Sequence, residues 1–359
     1  MRAQTGVGCT MSCNDCFSFQ CKWFDPHAQL MRNYQMMFYV RSSVNEIELT
    51  DTKTRKLFLR RTPFPSIAFS DLFIGSKLMV YSRQMEIVAF GDPHTARRFG
   101  SATTFACVAE DGAALGAALK AATRGFRIVK AKLLGGAERP EAAQYFGAGG
   151  IAPSARIVAL ELSSLGDPAD VVGKWQKYAA GQRGMYAAPD SASARASVDA
   201  VFGAGRAPQS ASFAAQADSD VTLMLVKPHA VHDGAVGDVV QRCVDGGFAI
   251  EALESFVLDK TQAAEFLEVY KGVSPVYTDA VNELSNGPCV AIALRRSGGG
   301  AVDAARALAG PHEYAYADQL RRQTLRAKFG RNDVQNAVHT TDLADDAALE
   351  LEFFFALMQ

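Results

Sequence analysis

Thr222-Leu-Met-Leu-Val226, Gly246-Gly-Phe-Ala-Ile250 and Gly287-Pro-Cys-Val-Ala-Ile292 decide the fold of this chain, because each has an earlier counterpart. Thr104-Phe-Ala-Cys-Val108 lies on the first, Arg124-Gly-Phe-Arg-Ile128 on the second and Ala155-Arg-Ile-Val-Ala-Leu160 on the third. Ala200-Val-Phe-Gly203 lies on Ala327-Lys-Phe-Gly330 in the same way. Each copy opens on an apolar strand, passes through a helical stretch and returns through a second strand at Gly-Phe. A degenerate repeat of that kind predicts two copies of one supersecondary unit. Strands alternating with helices predict an α/β or α+β sandwich. Residues 204–220, rich in Ala, Ser, Gln and Pro, read as the link between the copies.

Upstream of the repeat the pattern changes. Met37-Phe-Tyr-Val40, Ile47-Glu-Leu49, Leu57-Phe-Leu59 and Lys77-Leu-Met-Val-Tyr81 are short β-branched or aromatic runs, separated by Ser, Thr and Pro. That spacing predicts a small antiparallel β-barrel or sandwich before residue 100. The whole chain of 359 residues suits two or three domains. Its 48% apolar and 21% charged residues are a globular balance, and a net charge of −1 gives no electrostatic case for non-specific nucleic-acid binding. No apolar run reaches the roughly 18–20 residues that cross a bilayer. The start, Met1-Arg-Ala-Gln-Thr-Gly6, lacks an apolar core, so a soluble, intracellular chain is expected. Cys107, Cys243 and Cys289 sit in apolar runs and read as small core residues. Cys9, Cys13, Cys16 and Cys21 crowd the start without the second pair of a zinc site, so residues 1–22 are expected to form a flexible, thiol-bearing tail. No metal site is predicted; His229 and His232 lack further ligands.

The chemistry gathers near the C-terminus. In Arg331-Asn-Asp-Val-Gln-Asn-Ala-Val-His-Thr-Thr-Asp342 a single histidine, His339, stands among basic, amide and hydroxyl side chains. Val226-Lys-Pro-His-Ala-Val231 precedes it by about a hundred residues. Together these resemble the nucleoside diphosphate kinase family, whose motifs read roughly K-P-D-G/A and R-N-x-x-H-G-S-D. The resemblance implies a ferredoxin-like fold, four antiparallel strands with helices on one face, in each copy. It also implies ping-pong phosphoryl transfer between nucleotides, with Mg²⁺ bridging their phosphates. On that reading His339 is the nucleophile and Glu350 the carboxylate that orients its imidazole. Lys227, Arg306 and Arg326 grip phosphates, and Asn336 serves the ribose and phosphate side.

Several positions depart from the family. Val276, or Tyr277 beside it, stands where a phenylalanine stacks on the base, and the loss of that ring costs about 1–2 kcal/mol of binding. A family tyrosine falls near Glu268, with Tyr270 the nearest substitute, and a threonine becomes His312. His229 replaces an aspartate, Thr340 a glycine and Thr341 a serine. The phosphate half of the site is intact and the base half is not, so slow turnover is expected. In the first copy the lysine position is Ala109, and Arg206-Ala-Pro-Gln-Ser-Ala-Ser-Phe213 holds no histidine. That copy also looks shortened between Gly147 and Ala155, and it reads as structural.

The N-terminal segment carries a second resemblance. Trp23-Phe-Asp-Pro26, Leu30-Met-Arg-Asn-Tyr34, Asp71-Leu-Phe-Ile-Gly75 and Phe90-Gly-Asp-Pro-His-Thr-Ala-Arg97 are similar to the DM-ten domain of ciliary proteins. The order resembles a ciliary branch of the family with one DM-ten domain and two kinase-like domains. The expected division is therefore 1–22 tail, 23–100 DM-ten β-domain, 101–215 degenerate kinase-like domain and 220–359 second kinase-like domain. The resemblance implies a structural component of the ciliary or flagellar axoneme, an inner protein of the doublet wall with residual kinase activity. Its partners would be tubulin, the doublet microtubule, other axonemal proteins and nucleotides. The acidic tubulin surface could be met by residues 55–61 and by the Arg295-Arg296 and Arg321-Arg322 pairs. The alternative is an active kinase passing the terminal phosphate of ATP to nucleoside diphosphates.

Overall fold

The computed structural model describes residues 16–41, 43–100, 103–109, 114–123, 125–135, 145, 151–152, 156–164, 170–203 and 221–358. The expectations for the chain before Cys16, for the linker 204–220 with its serine-rich stretch, and for most of 147–155 lie outside these residues. The chain divides into two compact units at Gly100 and Ser101.

The first unit is one antiparallel sheet of six strands: β1 (Cys16–Asp25), β2 (Leu30–Tyr39), β3 (Glu46–Asp51), β4 (Leu57–Pro63), β5 (Lys77–Val80) and β6 (Arg83–Phe90). Their order is β4-β3-β2-β1-β6-β5, and among the described residues no pairing closes β4 onto β5. The hydrogen-bonded ladder is therefore open, but the sheet curls until Phe58 of β4 lies against the Arg83 guanidinium of β6 and Phe64 against Tyr81, which brings its two ends together. A helix, α1 (Pro93–Phe99), supplies the cover that closure would have given, starting where Asp92 accepts from the Thr95 amide. Phe99 of α1 meets the rings of Phe17, Phe19 and Phe69. β1 begins inside the stretch read as a tail, because Phe17, Phe19 and Cys21 alternate inward with period two. Cys21 is a buried core residue there.

The second unit is a single sheet of eight strands. In chain order it holds β7 (Thr103–Ala109), α2 (Ala114–Thr123), β8 (Phe126–Leu134), β9 (Ile157–Ser164), α3 (Val171–Ala179), β10 (Met185–Ala187) and α4 (Ser191–Phe202). The second half follows with β11 (Val221–Val226), α5 (Pro228–His232), α6 (Val236–Asp245), β12 (Ala249–Phe256), α7 (Lys260–Phe266) and α8 (Tyr277–Leu284). It ends with β13 (Cys289–Arg295), α9 (Ala301–Ala309), α10 (Tyr314–Leu320), α11 (Leu325–Phe329), β14 (Val338–Thr340) and α12 (Ala347–Glu352). The order β10-β7-β9-β8-β12-β13-β11-β14 reads the same from either end, half for half. The C-terminal half, with strand order β12-β13-β11-β14, has the ferredoxin-like α+β arrangement.

The halves join where β8 meets β12 antiparallel at Lys132 and Glu254, whose side chains form a buried ion pair at 2.9 Å. On one face α2 crosses α6. Gly116 and Gly237 sit at the crossing, and a Cβ on either would strike backbone of the facing helix. Beneath them one apolar core runs through both halves, with Leu119, Trp175, Val240 and Ile292 among its members. The opposite face is covered too, by α7, α8 and α12 in one half and by α4 in the other. Helices thus lie on both faces, not one. Strands such as β9 and β11 are buried at every position, and such strands need cover on both sides.

The crossing gives a test with an unusual sign. Within a helix, Gly→Ala ordinarily stabilises by about 1 kcal/mol. Gly237→Ala is expected to destabilise by about 1–3 kcal/mol, because the methyl meets Lys120 backbone that cannot give way as a side-chain tip would. Urea unfolding of the variant beside the parent measures it, and a stabilised variant would show that the helices do not cross there.

Candidate active site

β14 brings His339 to the sheet edge beside β11, with Leu225 directly opposite. The imidazole is 8% exposed. Its Nε2 lies 2.9 Å from Oε1 of Glu350, and Oε2 of the same carboxylate accepts from the Thr341 hydroxyl at 2.6 Å. A carboxylate only accepts, so Nε2 carries the proton and Nδ1 keeps a lone pair. The edge of Phe266 stacks against the ring at 5.1 Å between centroids and limits its rotation. A fixed tautomer with one free nitrogen is what a nucleophilic imidazole requires.

The turn that delivers β14 is strained. Ala337, fully buried, has φ +70°, and the Val338 amide donates to the Asn336 carbonyl at 2.9 Å, closing a γ-turn. A non-glycine residue in that region is costly and persists only where its surroundings hold it. Here the Lys227 amide donates to the Ala337 carbonyl at 2.9 Å, and the Ala337 amide donates to Nε2 of His229 at 3.3 Å. His229 can accept there because its Nδ1–H is committed to Glu283 at 2.7 Å. Burial alone would raise the Glu283 carboxyl, but the hydrogen bonds from His229 and Gln335 outweigh it and hold the group below its ordinary range. The histidine in the lysine motif is thus a brace under the turn that carries His339. His232 is separate, facing Arg127 and Asp233.

In front of His339 lies a cavity of about 280 Å³. Its apolar wall is Phe266, Leu267, Val276, Ala280 and Leu284; its polar wall is Lys227, His312, Arg326, Asn336 and Asp342. Lys227, half-buried, donates from Nζ to the Val334 carbonyl at 2.9 Å. Burial, and then the nearby Arg326 charge, push its ammonium down to about 8. Arg326 is anchored through the carbonyls of Val338 and Gly310, and burial pushes it down to about 10. His312 stands at the mouth; lost hydration on its cavity side, followed by the Arg326 and Lys227 charges, pushes its imidazole below the usual range. In all three groups burial is the leading cause, and for Lys227 and His312 neighbouring positive charge adds to it, a strain that a bound polyanion would relieve. Asn336 donates to the His312 carbonyl at 3.2 Å while its buried Oδ1 has no partner among the described residues, leaving an acceptor for a ligand hydroxyl.

Of the predicted site residues, Lys227, Arg326, Asn336 and His339 line this cavity and Glu350 stands behind His339. Arg306 does not line it: the exposed guanidinium is held at the rim by the Asp342 carbonyl at 3.0 Å. Tyr270 lines the wall and Glu268 is exposed outside it, so the substitute tyrosine is the one in place. The Tyr270 hydroxyl donates to Asp342 at 2.5 Å; burial and that carboxylate push the phenol up. Val276 and Tyr277 both reach the cavity, but the Tyr277 hydroxyl is tied to the Ala264 carbonyl at 3.2 Å. Thr340 is buried away from the cavity and does not narrow it. Sequence reasoning missed Glu283, Gln335 and the strain at Ala337, which only the packed turn reveals.

The first half has no such arrangement among its described residues. Cys107 occupies the repeat position of Leu225, and its cross-strand partner is Tyr186 of β10. The strand position that holds His339 in one half holds a tyrosine in the other, drawn from before α4 and not after it. Ala109 stands in the lysine position, at the end of β7.

A family model described as nucleoside diphosphate kinase matches residues 220–359. Nucleoside diphosphate kinase homolog 7 of Mus musculus is 33% identical over 95% of this chain and 93% of the relative, and so is that of Rattus norvegicus. Nucleoside diphosphate kinase of Aquifex aeolicus is 34% identical over 38% of this chain and 93% of its own length.

The Lys227 environment sets a pH dependence. A bound polyphosphate favours the charged ammonium, so the complex holds more protons than the free protein above pH 8, and affinity must fall as pH rises there. Titrating ADP between pH 7 and pH 9.5 is expected to show a decline beginning near the Lys227 value of about 8. It steepens to no more than about tenfold per pH unit for one proton. Lys227→Met should bind weakly with that slope gone; a slope that persists would assign it elsewhere.

Proposed function

The chain belongs to the nucleoside diphosphate kinase family, and from that premise we propose that its C-terminal half moves a terminal phosphoryl group between nucleotides through His339. The observation that carries this reading is the Glu350–His339 pair opening onto a cationic cavity. In the first half-reaction the Nδ1 lone pair attacks the γ-phosphorus of a nucleoside triphosphate. An N–P bond forms as the bond to the β–γ bridging oxygen breaks, and the electron pair leaves on the nucleoside diphosphate. Glu350 stabilises the positive charge that the imidazole acquires. Lys227 and Arg326 face the phosphate oxygens, and Asn336 Oδ1 is free for a ribose hydroxyl. A second nucleoside diphosphate reverses the step. Mg²⁺ enters as part of the nucleotide, on its phosphates, because the cavity wall is cationic and Asp342 is engaged by Tyr270 and Arg306. Val276 offers an aliphatic wall where a ring would stack, so turnover is slow.

The same chain serves as a structural component of the axoneme in a cilium or flagellum, bound to doublet microtubules among the inner proteins of the wall. The first half supports that role, since it keeps the fold with Tyr186 and Ala109 at the site positions. Residues 23–100 act as a DM-ten domain.

Incubation with [γ-³²P]ATP and Mg²⁺ is expected to leave acid-labile label on the protein that passes to GDP and is absent in His339→Ala. Label that survives in the variant would sink the assignment. For the structural role, tagged chain should stay with demembranated axonemes through salt extraction; recovery in the soluble fraction would remove it.

A further inference from the structure

The N-terminal unit holds a second cavity, of about 470 Å³, that phosphate chemistry leaves unused. The inward row Phe17, Phe19 and Cys21 is buried, but Trp23, next on the same face, is only half-buried. There the core opens. Arg83 lines the opening, its guanidinium 4.9 Å from the Trp23 ring centre and 5.0 Å from that of Phe58. Its Nε is buried with no hydrogen-bond partner among the described residues.

The carboxylates in the wall are already committed. Asp25 accepts from Arg32 at 2.7 Å and from the amides of His27 and Ala28. Asp51 accepts from the amides of Lys53 and Thr54. Lys56, exposed at the cavity wall, forms no ion pair among the described residues; with Arg32 set against Asp25, Lys56 and Arg83 outweigh Asp51 and leave the wall net positive. Beside them runs β4, a sheet edge without an outer partner, whose Leu57 and Phe58 are 51% and 42% exposed. Arg60 projects from the same strand into solvent, whereas Arg61 is occupied by Glu46. An open edge offers unpaired amides and carbonyls to an added strand.

We propose that the edge of β4 takes up an extended acidic peptide, which adds a seventh strand and sets a carboxylate side chain against Arg83 in the cavity. Exposed Leu57 and Phe58 pack its apolar residues, and Lys56 and Arg60 favour further carboxylates over basic sequence. The site lies wholly in the first unit and does not depend on phosphotransfer.

The experiment is fluorescence anisotropy of the full-length chain with three labelled probes: an alternating Glu-Val peptide, its Lys-Val counterpart and a Glu-Pro peptide that cannot complete a ladder. The Glu-Val peptide is expected to bind, with affinity falling as salt rises. Arg83→Met and Lys56→Glu should each weaken it about tenfold or more. Equal binding of the Glu-Val and Lys-Val peptides, or unchanged affinity in the variants, overturns the proposal. Lys56 is exposed, so its variant decides the matter if Arg83→Met fails to fold. Equal binding of the Glu-Pro peptide would overturn strand addition. Self-association competing with the peptide in sedimentation would hand the edge to a second copy and overturn the acidic occupant.

Discussion

The antiparallel meeting of β8 with β12 is the constraint on which the second unit depends. It turns two four-stranded halves into one eight-stranded sheet and buries Lys132 against Glu254 at the seam. Two edges that would otherwise expose unpaired backbone are thereby removed. The same seam draws α2 onto α6 so closely that glycine is required on both, at positions 116 and 237. The apolar core beneath is continuous from Trp175 to Ile292, so neither half buries its own face alone. This joint makes the two halves share one core and one sheet.

The site end of the sheet depends on a smaller device. His339 reaches the cavity only because Ala337 accepts a left-handed turn, and that turn is held from below by His229 and Glu283. Buried histidine–carboxylate pairs are usually judged as stability elements, and by that measure their worth is small. Here the pair serves geometry: its acceptor nitrogen satisfies an amide that the strained turn would otherwise orphan. Glu350 then fixes the tautomer from the other side. The nucleophile is therefore set by two carboxylates, one through the backbone and one through its ring.

What the sequence made legible follows from what kind of signal each feature sends. Lys227, Arg326, Asn336, His339 and Glu350 carry chemistry in their side chains, and the resemblance of their motifs to one family is what placed them together. The repeat of strand and Gly-Phe return was legible because apolar runs mark buried strands on their own. β1 was not, because Gln20 and Lys22 on its outer face interrupt the apolar run, and the four cysteines in and before it suggest a tail. The strain at Ala337 and the bracing role of His229 leave no local trace, since both arise from contacts 108 residues apart. Arg306 is a different case: its position outside the cavity lining, at the rim beside Asp342, is set by packing that the sequence does not display.

The cost of charge separates the two halves. Burial lowers both Lys227 and Arg326, so the fold keeps them cationic against the preference of their surroundings. Such groups destabilise an empty protein and become favourable only when a polyanion shares the cavity. In the first half Ala109 stands at the lysine position and Tyr186 at the strand position of His339, and both tolerate an apolar setting without charge. At the lysine position one half thus carries no buried charge, while the other keeps two buried cations facing one cavity.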